Sequence, residues 1–142
     1  MTPPPDAVAQ ARRWVQAAEE DLLTARSMLA LGKRSPHAVV AFHSQQCAEK
    51  YLKSRLTSLS ISFPRTHDLL ELVRLLPRKG KFRAMTDAAF LGRFAVEARY
   101  PGNHEPVTGA DARRALRIAK NIRMAIRGQL PKAALRQPEE EE

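Results

Sequence analysis

Ala41-Phe42-His43-Ser44-Gln45-Gln46-Cys47-Ala48-Glu49-Lys50-Tyr51-Leu52-Lys53 reads as the interior of an amphipathic α-helix. His43, Gln46, Lys50 and Lys53 fall at i, i+3, i+7 and i+10, so the periodicity puts them on one face, with Gln45 and Glu49 flanking the row. A polar helix face is ordinarily a solvated one. This one mixes an imidazole, an amide and two ammonium groups, a set suited to phosphates and base edges. Cys47 falls on the apolar side and reads as core.

Working outward, Ser35-Pro36 offers an N-cap and an N1 proline, so the helix is predicted to begin there and to run to about Leu59. Upstream, Trp14, Ala18, Leu22, Ala25 and Leu29 mark the apolar stripe of a helix over Ala7 to Leu31, stopped by Gly32. Downstream, Ser62-Phe63-Pro64 breaks the chain, and Thr66 is placed to cap a short third helix from Asp68 to Leu76. A fourth helix is predicted over Arg83 to Ala98 and ends before the Pro101-Gly102 turn. Thr108 with Asp111 resembles a capping box, opening a fifth helix whose Ala112, Ala115, Leu116, Ala119, Ile122 and Ile126 repeat at helical spacing to about Gln129. No segment alternates as a strand does. The fold class is therefore all-α, an up-and-down bundle of about five helices. Residues 1–6 read as a flexible lead, 7–130 as the helical domain and 131–142 as a disordered acidic tail.

A chain of 142 residues suffices for one domain with a real core. No apolar run reaches the roughly 18 residues of a membrane span, and the start Met1-Thr2-Pro3-Pro4-Pro5-Asp6 lacks the features of a secretory leader. A single cysteine excludes an internal disulfide, and a cytoplasmic location is expected. Twenty-four lysines and arginines face 15 acids, a net charge of +9. Because four of those acids are Glu139 to Glu142, the first 138 residues carry +13. Such a body favours a polyanionic partner.

His67-Asp68 opens the third helix. Asp68 suits a cap, whereas His67 has two readings, a hydrogen bond across to the second helix or a ligand contact. Arg99-Tyr100-Pro101-Gly102-Asn103-His104 is the sharpest candidate for chemistry. Arginine grips phosphate with two parallel donors, and histidine moves protons near neutral pH. Together they supply a base for the ribose 2′-hydroxyl and a cation for the charged transition state. The plainer reading is a helix-end arginine beside a loop histidine. His37, His43, His67 and His104 with Cys47 lack zinc-site spacing, so no metal or cofactor is expected. Neither a P-loop, GxGxxG nor Gly-x-Ser-x-Gly is present.

The helix-two stretch, preceded by Asp21-Leu22 and Ala25 in helix one, resembles the opening of a HEPN domain. Pro64 to Leu69 is similar to that family's approach to its third helix, and Ala98 to Gly102 to the turn before its last, so the likeness spans about residues 8–130. The resemblance implies a helical bundle that forms homodimers and is often encoded beside a minimal nucleotidyltransferase, as toxin and antitoxin. It also implies a metal-independent endoribonuclease motif, Arg-x4-6-His, which Arg99 and His104 satisfy. Pro106 departs from the family, standing where the ribonuclease branch carries a tyrosine. The resulting expectation is catalysis by Arg99 and His104, with RNA or nucleotide bound by His43, Gln46, Glu49, Lys50, Lys53, His67, Asp68 and Tyr100. The alternative is a non-catalytic nucleotide-binding or partner-docking module built on the helix-two face.

Overall fold

The computed structural model describes residues 4–77, 81–95 and 105–137. Five α-helices account for most of them: α1 (Pro5–Leu29), α2 (His37–Ser58), α3 (Leu69–Leu75), α4 (Lys81–Gly92) and α5 (Gly109–Arg127). Among the described residues there is no strand, and no helix is long and apolar enough to cross a membrane. The expected all-α class is the observed one.

Helix α1 starts at Pro5, inside the stretch expected to be a flexible lead, because proline fits the first helical position and Asp6 favours the positive end of the helix dipole. Its buried Ala11, Val15, Ala18, Leu22 and Ala25 are spaced alternately by four and three residues, the seam of a closely packed helix pair. The small side chains let α2 approach. After α1, Gly32 adopts φ +61°, a left-handed conformation that costs glycine little, and a 3₁₀ turn over Gly32–Arg34 leads to α2.

Helix α2 begins one residue later than Ser35-Pro36 suggested. Pro36 itself is the cap residue, its carbonyl accepting from the Val39 and Val40 amides, and no side chain caps the helix. The Ser35 hydroxyl is buried and makes no hydrogen bond. At α3 the cap is Asp68, whose carboxylate accepts from the Leu70 and Glu71 amides, while Thr66 accepts from the Asp68 amide one step earlier. The expected capping box of α5 is present: Thr108 Oγ1 accepts from the Asp111 amide, and Asp111 accepts from the Thr108 amide.

Side-chain pairings define the packing. Asp21 of α1 meets His43 and Lys50 of α2, and Glu19 meets Tyr51, so the two helices run antiparallel. Helix α5 runs parallel to α2, since Gly109 lies against His37 at one end and Arg55 donates to the Gln129 carbonyl at the other. Thus α3, α4 and the chain beyond them carry the polypeptide back to the end where α2 starts. Tyr51, Leu52, Leu56, Leu69, Leu72, Leu91 and Phe94 fill the core. The packed domain also extends past Pro131, where a disordered tail was expected. A 3₁₀ turn over Lys132–Leu135 buries Ala134 fully, and Arg12 donates to the Ala133 carbonyl. Covering apolar surface outweighs the entropy of ordering these few residues.

Candidate nucleic-acid interface

The polar row of α2 is not a solvated face. Asp21, buried on α1, accepts from His43 Nδ1 at 2.7 Å and from Lys50 Nζ. One turn on, Glu49 is 2% exposed and accepts from Lys53 Nζ at 3.1 Å and His67 Nδ1 at 3.0 Å. Gln45, fully buried, donates to Glu49 Oε1 and to the His67 carbonyl, and its own oxygen accepts from Gln46 at 2.6 Å. Lys53 is 7% exposed, with its ammonium 5.3 Å from the Trp14 ring centre and 5.9 Å from that of Phe63. Both lysines expected to meet phosphate are therefore paired with buried carboxylates.

The two histidines keep a chemical role open. A carboxylate only accepts, so Nδ1 carries the hydrogen in each pair, and Nε2 is the ring's other polar atom. His67 has 67% of its side chain exposed and His43 28%. Each is thus a carboxylate-oriented imidazole at the surface. For His67 the two open readings merge: it crosses to α2 and remains accessible. Asp68 serves the α3 cap.

Behind this row lies a second network, which ties three helices together. Glu19 of α1 receives the Tyr51 hydroxyl at 2.6 Å and both Nε and Nη2 of Arg123 at 2.8 Å, while Arg127 donates to the Tyr51 oxygen. Burial alone would raise the Glu19 carboxyl, but the hydrogen bonds from Arg123 and Tyr51 and the nearby guanidinium charges outweigh it and hold it below the usual range. Burial, reinforced by the charges of Glu19 and Asp21, pushes the Cys47 thiol well above its ordinary value, so it is core as expected and not a nucleophile.

At the end of the bundle where α2 and α5 begin, several cations gather. Arg93, just after α4, lies 4.9 Å from the Phe94 ring centre and 5.4 Å from that of Phe90; Arg114 of α5 lies 3.9 Å from Phe90. Arg113, Arg114, Arg117 and Lys120 are exposed, and the only acid in α5 is Asp111. Gly109 allows close approach here, since a Cβ would come within 3.2 Å of Arg113 and 3.3 Å of His37. Arg99, Tyr100 and His104 lie outside the described residues. The residues on either side of that segment are held together, with Arg93 Nη2 3.7 Å from Asp111 Oδ2.

A model of the HEPN domain family matches residues 11–129. This chain belongs to the HEPN domain family. Among solved structures, the HEPN fold seen here is similar to TT1696 from Thermus thermophilus, which is 27% identical with a TM-score of 0.74. It is also similar to ST0689, described as an archaeal HEPN homologue, at 28% identity and a TM-score of 0.69. Each likeness covers 85% of this chain and 98% of the other. No curated protein matches.

Sequence reading of the HEPN chain missed the Arg93–Phe90–Arg114 stack. Phe90 and Arg93 lie at and just after the end of α4, whereas Arg114 lies on α5, and no periodicity links it to them. The signal available was compositional: six arginines and lysines in α5 against one acid. A groove of about 510 Å³ between the start of α1 and the α2–α3 connection is lined by Trp14, Phe63, Ile61, Gln10 and Asp6. It contains none of the residues expected to bind RNA. Among the described residues, no three His, Cys, Asp or Glu side chains are gathered as a metal-ligand set.

Proposed function

We propose that this HEPN protein binds RNA at the cationic end of the bundle and cleaves it with Arg99 and His104. The observation that carries the reading is position. The Arg-x4-His stretch of a HEPN sequence falls between Ala95 and Glu105, and the flanks of that interval carry Arg93, Arg113, Arg114 and Arg117. Cations in that place attract and orient the phosphate backbone. His104 removes the proton from the 2′-hydroxyl and returns one to the leaving 5′-oxygen, and Arg99 stabilises the charge on the phosphate. The products end in a 2′,3′-cyclic phosphate and a 5′-hydroxyl. The chain acts as a homodimer and as the toxin partner of a minimal nucleotidyltransferase.

Incubating the protein with mixed RNA in EDTA tests this. Cleavage should persist without metal, and His104→Ala should lower it about 10²–10⁴-fold, the usual worth of a positioned proton donor. Arg99→Lys should fail as well, because lysine lacks the planar fork. Activity that EDTA removes, or that His104→Ala leaves intact, overturns the assignment.

A second reading is favoured by the two carboxylate–imidazole pairs at His43 and His67. In it, α2 binds a nucleotide without chemistry, Nε2 of each ring meeting a ribose hydroxyl or phosphate. Perturbation of both imidazole resonances on adding a mononucleotide, with RNA left uncut, would select this reading.

A further inference from the structure

The cationic end holds a feature that charge alone does not require: two arginines laid on phenylalanine rings. Arg114 Cζ is 3.9 Å from the Phe90 centroid, and Arg93 Cζ lies 5.4 Å from Phe90 and 4.9 Å from Phe94. The rings stand edge to face, their centroids 5.4 Å apart, and Phe94 is buried, so the platform is anchored in the core. A guanidinium seated on a ring keeps its in-plane N–H donors for other partners. Arg114 is exposed, and 43% of the Arg93 side chain is exposed. Asp111 faces them, 3.7 Å from Arg93, and its carboxylate also receives the Thr108 amide in the α5 cap. Exposed arginines normally lose side-chain entropy when they bind, and stacking lowers that cost in advance.

We propose that Arg93 and Arg114, held by Phe90 and Phe94, form a substrate-binding platform for single-stranded RNA. It receives a phosphate on the guanidinium edges and holds the strand against the α4–α5 contact. The proposal rests on the RNA-directed reading above and adds to it the residues that supply affinity. The chemistry fits RNA single strands, whose phosphates pair with arginine forks and whose unstacked bases lie on aromatic or guanidinium planes. Arg117, exposed and three residues on from Arg114, continues the row along α5.

The test uses the full chain and a fluorescent 15-nucleotide RNA with a non-cleavable 2′-O-methyl backbone, followed by anisotropy at 50 to 200 mM salt. Arg93→Ala with Arg114→Ala should weaken binding at least tenfold. It should also flatten the plot of log affinity against log salt by roughly 0.7 for each phosphate that is no longer neutralised. Arg114→Lys keeps the charge but lacks the planar group, and should lose most of what Arg114→Ala loses. Circular dichroism and thermal melting establish that the variants fold, and the Arg114→Lys protein carries the test if the double variant does not. Unchanged affinity and salt slope in folded variants overturn the platform, as does failure of the wild-type chain to bind. Cleavage is read separately on an unmodified strand. Variants that lose binding while the wild type cuts nothing leave the platform standing and remove the nuclease reading. A wild type that cuts RNA with KM unchanged in the variants does the reverse.

Discussion

Glu19 illustrates how one carboxylate organises side chains far apart in sequence. It receives donors from Tyr51 and Arg123, which lie on two other helices. Glu19→Gln keeps the shape but removes the charge that offsets the guanidinium. Arg123 retains 33% of its side-chain exposure, so solvent screens part of the loss, and about 1–2 kcal/mol of stability should go. The folded carboxyl lies below its ordinary value of 4.5. Its contribution is therefore complete above that pH and is lost as pH falls through the lower folded value. Urea midpoints measured from pH 3 to 7 should drop on the acid side for the wild type, less steeply for Glu19→Gln. Equal slopes would show that Glu19 is not the group responsible. Nothing in the sequence around Glu19 announces this role, because Arg123 follows 104 positions later.

Among the helices, α5 has the best-defined start. Its capping box supplies partners for two amides that would otherwise face solvent unpaired, and the Thr108 amide bond is the main reason the Asp111 carboxyl is held below its usual range. Thr108→Ala should cost about 1 kcal/mol, seen as a lower melting temperature with faster amide exchange in the first turn of α5. Exchange unchanged there would show the cap to be dispensable. Helix positions were legible in the sequence because stripes such as Ala18, Leu22 and Ala25 or Ala112 to Ile126 report burial at a fixed period. The start of α2 is less legible, and lies one residue beyond the expected one. Ser35 suits the cap and Pro36 the first helical position, yet in the packed chain the cap is Pro36.

At the scale of the molecule, a net +9 chain gathers Arg93, Arg113 and Arg114 at one end and leaves Leu23, Leu31, Val39 and Met124 exposed. Homodimerisation would place two copies of the cationic end in one field and cover apolar surface. Light scattering at micromolar concentration should give a mass near twice 15.9 kDa. A monomer would rule the dimer out.

Apolar periodicity and local turn chemistry suffice to write down five helices and the α5 cap, since both act within one or two turns of chain. The same spacing gave His43, Gln46, Lys50 and Lys53 a common face, whereas in the fold His43 and Lys50 meet Asp21 and Lys53 meets Glu49. Their environment was decided elsewhere. Asp21 from α1 and Glu49, flanking the row, take up both lysines, because a charge shielded from water needs a paired opposite charge. The stacking of Arg114 on Phe90 likewise exists only once α4 meets α5. A period along one helix reports which residues point the same way; what they point at is set by the helices packed against it.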